Sequence, residues 1–166
     1  YPQTFCNCTS LRQVIIPPSI ISIEYMAFYD CQSLVQILIP FSVTKIGESA
    51  FSHCISLKKV IIFSSSTIIE RSAFSRCTEL TEIHIPSFMT SVDEYAFNEG
   101  PLFKEISIPS SIKSFLQNSF ENCSYITDLN IKSYINFIDD YVFHSCTSLK
   151  QISISSPITR IGSGTF

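Results

Sequence analysis

Residues 34–57 read LVQILIPFSVTKIGESAFSHCISL, from Leu34 to Leu57, and the end of the stretch restarts its beginning. Ile37 and Ile39 alternate with Gln36 and Leu38 ahead of Pro40. That period of two in β-branched residues predicts a short strand with one buried face. Proline lacks an N–H and ends the ladder. A second extended piece follows in Ser42-Val43-Thr44-Lys45-Ile46. In Ala50-Phe51-Ser52-His53-Cys54-Ile55-Ser56-Leu57 the apolar residues stand three apart, which predicts a single helical or 3₁₀ turn facing inward. Glu48, just upstream, is placed to satisfy free N–H groups where that turn begins and to favour the positive end of its dipole.

This register runs the length of the chain. A phenylalanine recurs every 23 residues, at Phe5, Phe28, Phe51, Phe74, Phe97, Phe120, Phe143 and Phe166. Three residues after each stand Cys8, Cys31, Cys54, Cys77, Gly100, Cys123 and Cys146; six after stand Leu11, Leu34, Leu57, Leu80, Phe103, Ile126 and Leu149. Inward strand pairs follow at Val14/Ile16, Ile37/Ile39, Val60/Ile62, Ile83/Ile85, Ile106/Ile108, Leu129/Ile131 and Ile152/Ile154. Carboxylates precede the phenylalanines at Glu24, Glu48, Glu70, Asp93, Glu94, Asp139 and Asp140, and prolines close strands at Pro17, Pro40, Pro86 and Pro109. A fixed period of roughly 20–29 residues marks a stacked solenoid. One coil cannot bury its apolar columns alone, whereas parallel stacking at about 4.8 Å per coil can. Residues 1–166 are thus expected to form one domain of about seven 23-residue repeats. Because the chain opens on Tyr1 and begins and ends on a repeat anchor, it reads as a fragment of a longer array without its caps.

Composition narrows the function classes. With 45% apolar residues the chain is too hydrophobic for a disordered segment, and no apolar run is long enough to span a bilayer. The net charge of −3 is small and mixed in sign, which argues against a nucleic-acid surface.

The pattern Leu-x-x-Ile-x-Ile-Pro-x-Ser-Val-x-x-Ile-Gly-x-x-Ala-Phe-x-x-Cys-x-Ser-Leu, matched almost letter for letter by residues 34–57, resembles the BspA-like class of leucine-rich repeats. The resemblance covers the whole chain. It implies an α/β right-handed solenoid with a parallel β-sheet on its concave face and short helical or 3₁₀ turns on its convex face. It also implies a surface antigen or adhesin that binds proteins, and no catalytic residues. Departures are local. Gly100-Pro101-Leu102-Phe103 replaces the Cys and Leu positions of the fifth unit, whose turn should be distorted; Phe63 stands for Pro and Ser66 at an inward position in the third; Lys132 and Ser155 replace Pro in the sixth and seventh.

Seven cysteines invite a redox or metal reading. Six of them share one column, where side chains point the same way rather than at one another, so they read as a file of small buried thiols. Cys6 lies off the column and is expected to be exposed; Cys6-x-Cys8 has no second pair or nearby histidine to complete a zinc site. His53 and His144 fall in the turns and His84 in the sheet, so no two are neighbours. Asp93-Glu94 and Asp139-Asp140 are explained by capping, and no glycine-rich phosphate loop exists. No catalytic residue, metal or cofactor is expected. Asn7-Cys8-Thr9 and Asn122-Cys123-Ser124 match the N-glycosylation sequon, though an Asn ahead of the structural Cys produces both incidentally.

The outer face of the sheet is where the repeats differ. It carries Gln13 and Ile15, Gln36 and Leu38, Lys59 and Ile61, Glu82 and His84, Glu105 and Ser107, Asp128 and Asn130, Gln151 and Ser153. Ile15, Leu38 and Ile61 align as an apolar strip flanked by Val35 and Phe63; beyond it the neighbouring column turns acidic through Glu82, Glu105 and Asp128. Such a strip is a candidate protein-binding site, although strand propensity alone also places β-branched residues on both faces. The expected function is a non-enzymatic binding module of a cell-surface adhesin or antigen. The alternative is an intracellular scaffold docked in a larger assembly, which reduced cysteines favour, or a spacer for some other domain.

Overall fold

A computed structural model describes residues 1–64, 67–84, 88–132, 134–155 and 157–166, the side chain of Ser107 excepted. Ser66, Ile85 and Pro86 of the sequence columns lie outside the described residues. Among the described residues thirteen strands follow one another: β1 (Ser22–Ile23), β2 (Gln36–Ile39), β3 (Lys45–Ile46), β4 (Lys59–Ile62), β5 (Ile68–Ile69), β6 (Glu82–His84), β7 (Ser91–Val92), β8 (Glu105–Ile108), β9 (Ser114–Phe115), β10 (Asp128–Ile131), β11 (Phe137–Ile138), β12 (Gln151–Ile154) and β13 (Arg160–Ile161). The even-numbered strands line a wide side of the coils and the odd-numbered strands a narrow one, and all their pairings are parallel and one coil apart; the odd-numbered strands pair as β1-β3-β5, β7-β9 and β11-β13. Burial alternates as expected for a pleated strand with one face inside. In β2, Ile37 and Ile39 are buried while Gln36 and Leu38 face out.

The turns that carry the phenylalanines are not helical, contrary to the reading of their three-residue spacing. In every unit the residues two before and two after the phenylalanine have positive φ, among them Met26 (52°), Asp30 (57°), Ser72 (55°) and Arg76 (58°). Ala73 N donates to Glu70 O and Cys77 N to Phe74 O, so Ser72 and Arg76 are third residues of successive four-residue turns. Positive φ at that position defines a type II turn and stops a right-handed helix from propagating. The intervening amides reach the next coil instead: Ser72 N to Glu94 O, Phe74 N to Ala96 O and Arg76 N to Asn98 O. Backbone demand is met alternately within and between coils, which keeps the stack in register. The carboxylates serve these turns rather than a helix dipole. Asp93 and Asp139 each accept the next residue's N–H through Oδ1, and Glu70 accepts from Glu48 N.

The core is one continuous cluster of the repeat columns. Adjacent phenylalanine rings from Phe5 to Phe166 stack nearly parallel, with centroids 5.2–5.8 Å apart. Beside them Cys31, Cys54, Cys77, Cys123 and Cys146 each donate Sγ–H to the carbonyl of the phenylalanine 26 residues earlier. The thiol thus fills a corner and satisfies a carbonyl. All seven cysteines are free; Cys6, expected to be exposed, is half-buried.

The wide ladder is not continuous. β2-β4-β6 and β8-β10-β12 are separate sheets, and residues 13–16 of the first coil form no strand. No Cα of β6 lies within 8 Å of one in β8. In three other coils two successive amides bind one carbonyl of the preceding coil, as Thr81 and Glu82 do to Lys58 O, and Thr127 and Asp128 to Lys104 O, while in a further coil Lys58 N binds Val35 O. Among the described residues Lys104 and Glu105 make no such bonds to Thr81; Leu102 N binds Leu80 O at 2.7 Å instead. The cause lies in the fifth turn. Gly100 supplies no thiol to Phe74 O, Pro101 has no N–H, and the larger Phe103 fills the leucine position edge-on to Phe97.

Candidate functional site

The strand register sets the predicted outer-face residues side by side. Gln36, Lys59 and Glu82 share one row across β2, β4 and β6, and Leu38, Ile61 and His84 the next. Glu105 and Asp128 pair across β8 and β10. Because β6 and β8 are apart, the row does not run on from Glu82 to Glu105 as the sequence columns suggest. Lys59 Nζ lies 2.8 Å from Glu82 Oε1, an exposed pair that offsets one acidic charge. Asp128 accepts from Thr127 Oγ1 at 2.7 Å. Glu105 has no ion pair or side-chain hydrogen bond among the described residues.

The apolar strip forms a hollow rather than a flat stripe. Ile15, Ile16, Leu38, Pro40, Phe41 and Phe63 line a recess of about 390 Å³ between the first coil and β2. Ile15 is 83% exposed, Leu38 47%, Phe63 61% and Phe41 75%. Exposed large apolar side chains standing singly are ordinary, but several lining one recess mark a partner or ligand surface. Ile61 adjoins through its register with Leu38. Phe63 is held there by its own backbone, since its N–H donates to Ile39 O at 3.0 Å. Sequence reasoning missed Phe41. It follows the strand-ending Pro40 and belongs to no repeat column; its exposure is set by where the turn leaves the sheet.

The remaining candidates are dispersed. His53 sits on a turn against the Tyr29 ring, with Ser52 Oγ 3.0 Å from Nδ1 and Arg76 Nη1 3.3 Å from Nε2. His144 lies edge-on to Tyr141, and His84 stands in β6. Among the described residues no group of three or more His, Cys, Asp or Glu side chains is placed to hold a metal ion. Among the described residues no helix is long and apolar enough to cross a membrane. Asn7 and Asn122 occupy the positive-φ position after the phenylalanine, at 59° and 58°. Asparagine tolerates that conformation, which explains it there without any modification. Asn7 is exposed and Asn122 half-buried.

The repeat register, the two ladders and the turn columns together decide the family. A family model described as BspA type leucine rich repeat region matches residues 1–115 and 69–166. This chain belongs to the BspA-type leucine-rich repeats. Solved structures agree on the fold. A leucine rich repeat protein of T. pallidum is similar at 24% identity and TM-score 0.84, over 90% of this chain and 72% of that one. A leucine-rich repeat protein from Bacteroides ovatus matches at 27% and 0.71, over 89% of this chain and 46% of that one. A leucine rich cell surface protein from Faecalibacterium prausnitzii matches at 25% and 0.52, over 93% and 56% respectively. The BspA-type chain described above thus spans about half the length of the latter two. No curated protein sequence matches it.

Proposed function

We propose that this BspA-type segment is a non-enzymatic protein-binding module, part of a cell-surface adhesin or antigen, whose partner docks on the wide sheet. The observation that carries this reading is the apolar recess of Ile15, Leu38, Phe41 and Phe63 on a face that is otherwise polar. Leucine-rich repeats use the extended sheet surface of a solenoid for recognition. A partner that seats an aliphatic or aromatic side chain in the recess removes apolar area from water on both sides, at about 25 cal/mol per Å². Similarity to a leucine rich cell surface protein supports the location. The binding role assigned to Gln36, Lys59, Glu82, His84, Glu105 and Asp128 is orientation and selection around that anchor, since exposed polar contacts contribute specificity more than affinity.

Leu38→Glu and Ile61→Glu test it. Both side chains leave the outer face of a strand, so the folded state should persist by circular dichroism. Binding to a partner recovered from an intact cell surface should fall at least tenfold. Undiminished binding by both variants would place the docking surface elsewhere.

The intracellular scaffold reading draws on one observation, that Cys6 and Cys8 are free while only half-buried. Accessible thiols tend to pair in oxidising compartments. Intact mass of protein from its native source separates the two: glycans at Asn7 or Asn122 require a secretory route, and their absence with seven reduced thiols favours the scaffold.

A further inference from the structure

The break between β6 and β8 leaves two strand edges facing each other across an open cleft of about 400 Å³, lined by Thr81, Glu82, Ile83, His84, Phe103 and Glu105. We propose that this cleft takes one extended segment of a partner protein, inserted as the missing strand and carrying a basic residue next to an apolar one. The proposal does not need the apolar recess to bind anything, since the two sites lie on different coils.

The backbone supplies the first argument. Exposed strand edges with unpaired N–H and C=O groups are templates for another strand. Among the described residues both edges are free here: Lys104 N–H lacks the acceptor that Lys58, Thr81, Thr127 and Lys150 have, Glu105 N–H the one that Glu82, Asp128 and Gln151 have, and Thr81 O receives neither bond. Inserting one strand between two others takes about two spacings, roughly 9.6 Å. The Cα separation, everywhere above 8 Å, already exceeds the single spacing of a closed ladder.

Side chains then set the sequence of the occupant. In the surrounding register inward rows are apolar and outward rows polar. A residue placed between Ile83 and Ile106 would point into the solenoid; Ile83 is only half-buried, against full burial of Val60 in the intact part of the sheet. That position asks for a β-branched side chain. The adjacent residue falls between Glu82 and Glu105. Glu82 is already paired with Lys59, whereas Glu105 is exposed and has no ion pair among the described residues, so a Lys or Arg there completes a charge pair. Alternation of a basic residue outward and a β-branched residue inward is the recognition chemistry that results.

The test is titration of the full 166-residue chain with a blocked seven-residue peptide centred on Thr-Lys-Ile-Thr, followed by amide NMR and hydrogen exchange. Saturable binding is expected, with slowed exchange at Lys104 and Glu105. Replacing the peptide Lys by Glu should weaken it at least tenfold, and Glu105→Lys in the protein should restore binding of that Glu peptide. N-methylation of the peptide's Ile should abolish it. Leu38→Glu should bind the peptide as the parent does; loss there would put the peptide in the recess and overturn this inference while leaving the proposed function standing. Absence of saturable binding, indifference to the charge swap and N-methylation, or protection of the same amides by self-association alone would also overturn it.

Discussion

A buried thiol in this solenoid has two neighbours that matter, the phenylalanine carbonyl it donates to and the apolar column around it. Burial raises the pKa of Cys31 and Cys146 from 9.0 to about 11 and that of Cys77 to about 12, the donor bond to the carbonyl of the neighbouring coil being tied to the neutral S–H form. Cys54 and Cys123 are pushed in the same direction, again by desolvation. Below pH 9 the thiols are protonated in both folded and unfolded chains, so they add no pH dependence. Above it the unfolded chain loses thiol protons that the folded chain keeps, and stability falls with rising pH. The fall should set in near pH 9 and continue through about pH 11 to 12. Lys45, raised chiefly by its bond to Glu70, falls away in the same direction at high pH, so the useful comparison is between variants. Urea midpoints of Cys77→Val and the parent, followed from neutral to alkaline pH, should converge as pH rises, because the variant lacks one of the titrating groups. Parallel curves would show that the thiol does not carry the effect.

At the scale of the element, the strand was legible and the turn was not. Alternation of Ile37 and Ile39 with Gln36 and Leu38 placed β2 within its observed bounds, because a two-residue period leaves one geometric solution. Apolar residues three apart fit a helical turn equally well as two linked type II turns, so spacing alone could not decide. The residues that decide it, such as Met26, Ser72 and Arg76, are not the glycines that positive φ ordinarily selects. Coil-to-coil bonds hold them there, and those bonds are invisible in one coil's sequence. Ser72→Gly separates the two geometries by sign. In the observed turn it relieves a left-handed conformation costing about 1–2 kcal/mol, against a glycine entropy loss of roughly 0.5–1 kcal/mol. Stability in urea should therefore rise by up to about 1 kcal/mol, whereas in a helical turn the same change would lower it by about 1 kcal/mol.

Over the whole molecule, stability is close to a sum of nearest-neighbour coil interfaces. The apolar recess was partly legible, since Ile15, Leu38 and Phe63 follow from the strand columns, while Phe41 came from the path of the turn. The break in the wide ladder was signalled only as a local departure at Gly100-Pro101, whose long-range consequence depends on how the next strand is fed. The interface between the fourth and fifth coils keeps its phenylalanine stack, at 5.7 Å, and its turn bonds, but among the described residues lacks its wide-sheet bonds. Restoring the repeat should therefore close it. In Gly100→Cys with Pro101→Ser and Phe103→Leu, the thiol can reach Phe74 O and the turn amide regains its partner. Gly100 cannot be changed alone. A Cβ built there lies 2.9 Å from Cys77 N, so the turn must relax first, and that relaxation needs the N–H proline denies it. With Lys104 and Glu105 donating to Thr81 O, the triple variant gains two to three hydrogen bonds at roughly 1 kcal/mol each. Urea unfolding should show a gain of about 1–3 kcal/mol, and exchange at the Lys104 and Glu105 amides should slow without any peptide. Peptide binding should disappear together with the free edges. Retained binding in a variant with those amides protected would mean that the strand edges are not what the peptide occupies.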